Sequence, residues 1–376
     1  MSGQSRFTRP KLIDAVAAVR LDSGRLALRD GARGRTALVL HVGPAAAAAL
    51  PDLLDGTRDP DAVRRALAEH LATGDPDDVL RRIEDAGLLE DGAAPVTLSD
   101  EQARRYSRNL ACYAAEAAGR PGDATLGSKY DVHERLRASR VLVLGLGGIG
   151  SNVALGLAML GVGTVALVDF DTVEVQNLNR QVLYDTAGLG RPKAEAAAER
   201  LRAVNPEPDY PYLTRRVGGT ADVVELIERF RPQITVLGAD RPVRAIDRWT
   251  SAASWQTGVP YITGTVNGGY GAVWSHFPGR TGCEECTLLG LRDRSAEEYE
   301  IARRREAEDI LPLTSALGFG AQTVAGLIGY DIYHHLIGLT VRSAGVWLRI
   351  DFGTFTVDET PQPVHPACGL HIAGTA

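Results

Sequence analysis

The 376-residue chain can hold one large and one small domain, each with its own buried core. Its formal net charge of −6 gives no reason to expect a nucleic acid or an anionic membrane as a partner. The chain does not begin with a basic stretch followed by an apolar run, and its four cysteines favour a metal in a reducing compartment over disulfides. We therefore expect a cytoplasmic protein without a secretory signal.

The first part of the chain, residues 1–92, is predicted to form a small α+β domain of winged-helix type. Apolar alternation and Gly-containing turns predict three strands, over Val16–Leu21, Arg25–Leu28 and Thr36–His41. Helices are predicted after them, over Pro44–Leu54, Asp59–Leu71 and Pro76–Ala86. A linker near residues 92–95 then leads to one helix over Asp100–Ala118 and a Gly-rich loop to Tyr130.

The larger domain, residues 100–376, is predicted to be α/β, with a Rossmann-like, mostly parallel sheet. Apolar runs predict buried strands over Val141–Leu144, Thr164–Val168 and Ile234–Leu237, with helices over Ile149–Leu160 and Glu195–Val204. Strands that are joined through helices pair in parallel. The long apolar stretch Ala316–Leu339 carries Asp331 and two histidines, so it predicts a buried or interface helix and not a membrane span.

Four glycines lie between the first strand of this sheet and its helix: Gly145, Gly147, Gly148 and Gly150. Glycines there allow a tight turn and let backbone N–H groups approach a phosphate at the helix N-terminus. Asp169 closes the next strand, where a carboxylate can accept hydrogen bonds from ribose hydroxyls. These two features alone favour a nicotinamide- or flavin-dependent enzyme.

Two cations and a carboxylate further along the chain change this interpretation. Arg180 lies in a dense polar run, Lys193 begins a helix, and Asp240 follows the last predicted strand. Each residue alone is best explained as a solvated charge or a turn residue. Placed together at the carboxyl end of the sheet, they favour a triphosphate site, with Asp240 suited to bind Mg²⁺.

The glycine loop, residues 169–171, residues 177–181, Lys193 and Asp240 together resemble the ubiquitin-activating-enzyme-like superfamily, which includes the ThiF-type adenylyltransferases. The resemblance extends to the C-terminus. It implies that Asp169 holds the ribose of ATP, that Asn177, Arg180 and Lys193 contact its phosphates, and that Asp240 binds Mg²⁺. Bacterial members adenylate sulfur-carrier proteins or the microcin C peptide. ATP is implied by the resemblance alone, because no residue pattern here recognises adenine, and CTP is conceivable.

The segment Arg105–Asn109 resembles the superfamily's Arg-Tyr-x-Arg-Gln segment, which reaches the nucleotide of the partner subunit. The resemblance therefore implies a homodimer in which Arg108 is donated across the interface. Asn109 stands where the superfamily has Gln. The alternative interpretation of Arg108 is an exposed charge on a helix.

Two pairs of residues have the ligand spacing of a zinc site. Cys283 and Cys286 form one pair, Cys368 and His371 form the other, and together they make a tetrahedral Cys3His set. Four protein ligands leave no open coordination position, so the zinc is predicted to be structural and to tie the C-terminal tail to the domain. The superfamily has Cys at the position of His371, which could alternatively lie near the metal without binding it.

Attack of a carboxylate on the α-phosphate requires positioning and charge neutralisation, and it releases pyrophosphate. Some members of the superfamily then transfer the acyl group to a cysteine. With three cysteines assigned to zinc, Cys112 is left, and it is predicted to be a packed hydrophobic residue. We therefore predict no thioester. The sequence does not identify the final nucleophile.

Residues 1–92 resemble the PqqD-like precursor-recognition element, which binds a leader peptide as an added strand at its sheet edge. Residues 53–58 are similar to that element's Leu-Asp-Gly-Thr turn. A winged-helix DNA-binding domain is the competing interpretation. However, residues 51–100 hold 5 Arg or Lys against 13 Asp or Glu, so their helices would repel phosphate, whereas residues 1–50 hold 8 against 3 and suit an acidic peptide. A domain that only braces a dimer is a third interpretation.

Several functions are compatible with these residues. The chain could adenylate the C-terminal carboxylate of a ribosomal precursor peptide, or that of a sulfur-carrier protein. It could also be a leader-binding scaffold that has lost ATP chemistry, although the intact Arg180, Lys193 and Asp240 count against this. A dehydrogenase is a more distant alternative. The extra domain at residues 1–92 favours the precursor peptide.

Overall fold

The computed structural model describes residues 6–118, 126–311 and 315–373. It divides into two compact units, Met1–Arg135 and Leu136–Ala376. The first unit therefore extends beyond residue 92, where the sequence predicted the end of the small domain.

The first unit contains a three-stranded antiparallel sheet that shares a core with three helices. The strands are β1 (Pro10–Leu12), β2 (Val16–Leu21), β3 (Arg25–Asp30), β4 (Arg35–His41) and β5 (Leu89–Asp91), and β2-β3-β4 form the sheet. The helices are α1 (Pro44–Leu53), α2 (Pro60–His70) and α3 (Pro76–Asp85). Asp59 and Asp75 cap α2 and α3, because their carboxylates accept hydrogen bonds from backbone N–H groups of the first turn. The three predicted strands and three predicted helices are confirmed to within two residues.

Strands β1 and β5 pair with each other, and the sequence predicted neither of them. The pairing is antiparallel and places Leu12 opposite Leu89. Each strand has three residues, which is too short for a visible apolar alternation, and the partners are far apart in sequence. Local patterns therefore gave no signal for this pair.

Three more helices follow in sequence: α4 (Asp100–Arg105), α5 (Ser107–Ala118) and α6 (Lys129–Ala138). The prediction of one helix over Asp100–Ala118 was wrong. Helix α4 ends at Arg105, and Tyr106, whose side chain is buried, separates it from α5. The loop predicted to reach Tyr130 gives way to α6 at Lys129, and residues 119–125 of that loop lie outside the described residues.

Two contacts attach these helices to the first unit. Ile13 packs against the alanines of α5, and Lys129 at the start of α6 donates hydrogen bonds to Asp14 and Glu90 at 3.0 Å each. Both contacts join residues that are distant in sequence. A domain boundary that is predicted from local composition could not take these long-range contacts into account.

The second unit is an α/β unit built on one large sheet. Its strands are β6 (Arg140–Leu144), β7 (Thr164–Val168), β8 (Tyr212–Leu213), β9 (Ile234–Leu237), β10 (Tyr261–Asn267), β11 (Tyr270–His276), β12 (Val346–Asp351) and β13 (Val357–Pro361). Its helices are α7 (Gly148–Leu160), α8 (Lys193–Val204), α9 (Thr220–Phe230), α10 (Ala245–Thr257), α11 (Glu284–Arg294), α12 (Ala296–Ala307), α13 (Gly318–Ile337) and α14 (Gly369–Ala373). Over the described residues, the spatial order is β13-β12-β11-β10-β9-β6-β7-β8.

The neighbouring strands β8, β7, β6, β9 and β10 pair in parallel, which confirms the predicted mostly parallel sheet. Successive residues of β6 enter two different cores. Val141 and Val143 face the core formed with α7, α8 and α13, whereas Leu142 and Leu144 face the core formed with α9 and α10. Burial on both faces is why this strand is a continuous apolar run in the sequence.

The order of the parallel strands reverses at β6, because β7 lies on one side of it and β9 on the other. At such a switch point, the loops at the carboxyl ends of the strands diverge and leave a crevice that can receive a ligand. The loops after β6 and β9 both lie there. Strands β11 to β13 extend the sheet in antiparallel fashion, which the sequence did not predict.

Helix α13 lies within the predicted helical stretch Ala316–Leu339 and packs on β10 and β11. Gly264 permits this close packing, since a Cβ there would lie 2.7 Å from the side chain of Val324. Across the described part of the chain, the helices are all too short or too polar to cross a membrane.

We predict that Lys129→Met weakens the first unit by about 1 kcal/mol, because the half-exposed Asp14 and the largely buried Glu90 lose one of the two lysines that pair with both of them, while Lys11 remains. Hydrogen exchange of the β1 and β5 amides measures the change. Arg81→Met is the control, since its pair with Asp78 is exposed and should change stability by less than about 0.5 kcal/mol. Equal effects of the two substitutions would contradict the assignment.

Candidate nucleotide site and metal cluster

The centre of the candidate nucleotide site is the glycine turn, residues 145–150, which follows β6 and includes the first residues of α7. Gly145 has a φ of 87°, and a Cβ there would lie 2.5 Å from the backbone nitrogen of Ala239. A Cβ on Gly150 would overlap the carbonyl oxygen of Gly145. Within the described residues, no side chain caps α7 at Gly147, so the N–H groups of its first turn, from Gly148 onward, are available to an anion.

Asp169 at the end of β7 fixes the position of this turn. Its Oδ2 accepts a hydrogen bond from the N–H of Leu146 at 2.6 Å, and its Oδ1 accepts one from the N–H of Asp171 at 2.8 Å. Burial raises the pKa of Asp169, while these N–H donors and the nearby Lys193 oppose the rise. Each carboxylate oxygen keeps a second lone pair that could accept from a ribose hydroxyl.

The segment after β7 brings Arg180 to the glycine turn. The side-chain stem of Arg180 lies beside Gly148, where a Cβ would be 3.4 Å from it. Its Nη1 donates to the carbonyl of Gln176 and to Oδ1 of Asn179, at 2.9 and 3.0 Å. Nη2 and Nε make no hydrogen bond to any described residue, so they can bind a phosphate.

Asn177 is buried in the same segment and holds its shape. Its Oδ1 accepts from the N–H of Glu174 at 2.9 Å, as one half of a reciprocal cap. The side chain therefore fixes the short turn that precedes Arg180. A contact between Asn177 and a phosphate stays a prediction.

Lys193 is a buried cation at the start of α8. Its side chain is 8% exposed, and Nζ lies 3.0 Å from Oδ2 of Asp171. The backbone explains the placement, because the N–H of Lys193 also donates to the carbonyl of Asp171. A buried ammonium with one carboxylate partner retains N–H groups for a second anion. Asp171 lay in the sequence motif, but its part in holding Lys193 was not predicted.

Asp240 lies on the loop between β9 and α10, residues 238–244, which we call the Asp240 loop. Asp240 is exposed, and its neighbour Ala239 contacts Gly145. The structure thus brings the predicted residues of the second unit to the loops at one edge of the sheet. Arg108 lies in the first unit, exposed on α5, and its approach to a nucleotide stays a prediction.

Two side chains outside the predicted set hold the Asp240 loop. Asp309 accepts from Nη1 of Arg241 and from the N–H of Val243, each at 2.8 Å. Glu284 accepts from Nη2 of Arg244 at 2.6 Å. No sequence pattern indicates these pairs, since Glu284 resembles a spacer between two cysteines and Asp309 resembles an exposed charge at the end of a helix.

The predicted zinc ligands meet in a second site, which we call the metal cluster: Cys283, Cys286, Cys368 and His371. One ligand atom from each residue lies within 4.8 Å of all the others. The Sγ atom of Cys283 is 3.7 Å from that of Cys286 and 3.5 Å from that of Cys368. A tetrahedral zinc with Zn–S bonds of about 2.3 Å places its sulfurs about 3.8 Å apart, so the spacing fits zinc.

A hydrogen bond joins two thiols of the cluster. The S–H of Cys283 donates to Sγ of Cys286, which lowers the pKa of Cys286 and raises that of Cys283. The Nε2 of His371 is buried and forms no hydrogen bond with the described residues. A buried polar atom normally has a hydrogen-bond partner. A zinc ion would satisfy this nitrogen and stabilise the thiolates. The residues present therefore fit the metal.

The structure corrects the prediction for Cys112, which is exposed and not packed. It lies on the outer side of α5, since Tyr113 and Ala114 face inward. Partial burial and the nearby Glu116 nevertheless raise the pKa of the Cys112 thiol. A thiol with a raised pKa forms little thiolate at neutral pH.

Comparison with known proteins identifies a family for most of the chain. The ThiF family model matches residues 106–370. The molybdopterin-synthase adenylyltransferase of Escherichia coli is 34% identical over 169 residues, which are 45% of this chain and 61% of that protein. The adenylyltransferase and sulfurtransferase uba4 of Aspergillus terreus is 43% identical over 113 residues, 30% of this chain and 21% of that protein. The chain thus spans between about a fifth and three fifths of the length of these relatives.

Solved structures match over nearly the whole chain. The crystal structure of E. coli MccB with ATP has a TM-score of 0.72 and 20% identity, and covers 96% of this chain and 99% of that one. The microcin C7 biosynthetic enzyme MccB in complex with N-formylated MccA gives the same values. At this identity the match shows a shared fold.

We predict that the purified protein contains one zinc per chain, and that Cys368→Ala removes it because a buried ligand is lost. His371→Ala should weaken zinc binding by more than about tenfold. Metal analysis and competition with a colorimetric chelator measure both. Cys112→Ala is the control and should keep its zinc. Full zinc content in Cys368→Ala would rule out the assigned ligand set.

Proposed function

The chain belongs to the ThiF family, and on that premise we propose that it is an ATP-dependent adenylyltransferase. It would activate a carboxylate as an acyl-adenylate and release pyrophosphate. The observation that carries this proposal is the convergence of Lys193, Arg180 and Asp240 around the glycine turn. Two cations with unused N–H groups next to a helix N-terminus form a suitable site for a triphosphate.

Each residue around the glycine turn has a separate role in the proposed reaction. Asp169 would hold the ribose, Arg180 and Lys193 would neutralise phosphates, and Asn177 would keep the segment of Arg180 in place. The exposed Asp240 would bind Mg²⁺, whose oxygen ligands are carboxylates and phosphates. Mg²⁺ would shield the charge of the phosphates and assist the departure of pyrophosphate. The solved structure of MccB with ATP supports ATP as the nucleotide.

The proposed substrate is the C-terminal carboxylate of a ribosomal precursor peptide, in the maturation of a peptide natural product. MccB, whose structure matches both units of this chain, has been solved with N-formylated MccA. The first unit would recognise the leader peptide, as its resemblance to PqqD-like domains implies. In support, Asp55 in the Leu-Asp-Gly-Thr turn accepts from both the N–H and the hydroxyl of Thr57, and β2 and β4 are sheet edges to which a strand could add.

A sulfur-carrier protein is the second candidate substrate. The molybdopterin-synthase adenylyltransferase and uba4 are more identical to this chain over their aligned regions than MccB is overall. The residues around the glycine turn are compatible with either substrate, because they would contact only ATP and the reacting carboxylate. A scaffold without catalysis is the third candidate, and the intact phosphate-binding cations argue against it.

We further propose that no thioester forms. Cys283, Cys286 and Cys368 belong to the metal cluster, and the raised pKa of Cys112 disfavours its thiolate. The acyl-adenylate would pass directly to a nucleophile such as an amine, a substrate amide or a persulfide. Four cysteines without disulfides also support a cytoplasmic location.

The proposed assembly is a homodimer in which Arg108 reaches the partner's nucleotide. Helices α7 and α13 pack side by side and expose Met159, Phe319 and Tyr330. Large exposed apolar side chains on adjacent helices are typical of protein interfaces.

Pyrophosphate exchange into ATP tests the function. We expect exchange that depends on the precursor peptide, and Arg180→Ala or Lys193→Ala should reduce it at least 100-fold, or about 3 kcal/mol, because each removes a phosphate ligand. Exchange with a carrier protein alone would favour the second candidate. No exchange with either substrate would overturn the proposed enzyme.

Arg191→Ala is the matched control for these substitutions. Arg191 lies two residues before Lys193, but it pairs with Glu195 and Glu199 on the surface of α8. It should retain exchange within about threefold of the unsubstituted protein, since surface pairs contribute little.

Complementation tests the role of Arg108. Arg108→Ala and Asp240→Ala chains should each be inactive, but a mixture that exchanges subunits should recover about a quarter of full activity, because half of the dimers then hold one complete site. No recovery, in a mixture shown to contain mixed dimers, would place Arg108 in its own subunit's site or outside the site.

A further inference from the structure

The Asp240 loop and the glycine turn are in direct backbone contact. The N–H of Gly238 donates to the carbonyl of Leu144 at 2.7 Å, and a Cβ on Gly238 would lie 2.7 Å from the carbonyl oxygen of Gly145. On the other side, Ala239 leaves no room for a side chain at Gly145. A displacement of the Asp240 loop therefore also displaces the turn that would receive the phosphates.

The Asp240 loop ends in a strained residue. Arg244 has a φ of 58°, a conformation that costs a residue with a Cβ about 1 kcal/mol or more. Such a conformation persists where surrounding contacts hold it. Here the contact is the charge-assisted hydrogen bond from Nη2 of Arg244 to Oε1 of Glu284, at 2.6 Å.

Glu284 stands inside the metal cluster's first ligand pair. It is the first residue of α11, between Cys283 and Cys286, and it is 5% exposed. Its N–H donates to Oγ of Ser251 in α10 at 3.1 Å, so the ligand turn contacts α10 through the backbone of Glu284 and the Asp240 loop through its side chain. The position of the Glu284 carboxylate is thus set by the same turn that presents two metal ligands.

Taking these contacts together, we propose that Arg244 and Glu284 are positioning residues that couple the metal cluster to the Asp240 loop. When zinc holds Cys283 and Cys286, the turn is fixed, Glu284 holds Arg244, and Asp240 stays next to the glycine turn. Without the metal, the turn loses two of its anchors and the loop loses one of its two supports. The proposal rests on the proposed nucleotide function for its effect on ATP, but the coupling itself does not require ATP.

Asp309 supplies a second support, from the other side of the loop. It binds Arg241 and the N–H of Val243 without contacting the metal cluster's ligands among the described residues. Loss of the metal should therefore loosen the loop without releasing it completely. This makes a graded loss of affinity the expected result.

The experiment measures Mg·ATP affinity by calorimetry and amide hydrogen exchange of residues 238–244, with zinc content determined on the same samples. Glu284→Ala should keep its zinc, weaken Mg·ATP binding at least tenfold and speed exchange in the Asp240 loop. Glu284→Gln, which keeps an acceptor oxygen, should recover part of the affinity. Removal of zinc from the unsubstituted protein should give the same two changes as Glu284→Ala.

The most discriminating measurement is whether the effects of zinc removal and of Glu284→Ala on Mg·ATP affinity add. If the coupling passes through Glu284, removing zinc from Glu284→Ala should weaken ATP binding little further, because the connection is already broken. Glu285→Ala is the matched control, since Glu285 is also flanked by the two cysteines but its side chain forms no hydrogen bond or ion pair with any described residue. It should leave affinity, loop exchange and zinc unchanged.

Three results would overturn the proposal: unchanged loop exchange in zinc-loaded Glu284→Ala, a full additional loss on zinc removal, or an equal effect of Glu285→Ala. If Glu284→Ala fails to retain zinc, Arg244→Met decides, because it breaks the same pair from outside the ligand turn. If the unsubstituted protein binds no ATP, the proposed function fails, and the hydrogen-exchange comparison without nucleotide still decides the coupling.

Discussion

One close approach of two backbones underlies the candidate nucleotide site. The turn after β6 and the loop after β9 meet at Gly145, Gly150 and Gly238, where any Cβ would overlap a backbone atom of the other segment or of the same turn. This contact is possible because β6 and β9 are neighbours at the point where the strand order reverses. It places the N-terminus of α7 next to Asp240. The cations Arg180 and Lys193 then reach the same place through the segment that follows β7.

The second constraint is the closing of the C-terminal tail onto the sheet. Cys368 and His371 lie far along the chain from Cys283, and β12 and β13 lie between the two pairs. A zinc ion bound by the cluster would hold the short helix α14 in place without a large core of its own. Because Glu284 belongs to both the ligand turn and the pair with Arg244, the tail is connected by contacts to the loop of Asp240.

The two units separate chemistry from recognition in the proposed function. Proteins that share a fold can act on different substrates, so the candidate nucleotide site indicates the class of reaction and not the acceptor. In the proposed function, the residues that would choose a substrate belong to the first unit, with its exposed strand edges and basic strands. The ThiF relatives match only part of the chain, whereas a structural neighbour matches nearly all of it, and the two support different candidate substrates.

Local chemistry determined what the sequence could predict. The glycine turn, the strands β6, β7 and β9, and the clustering of Cys283, Cys286, Cys368 and His371 were all predicted, because tight turns, doubly buried strands and zinc sites each require particular residues at particular spacings. The tertiary structure alone decided the β1–β5 pair, the interruption at Tyr106 and the supports of Asp240 by Asp309 and Glu284. These features depend on which distant segments meet, and a charge or a short apolar run looks the same in sequence whether or not it finds a partner.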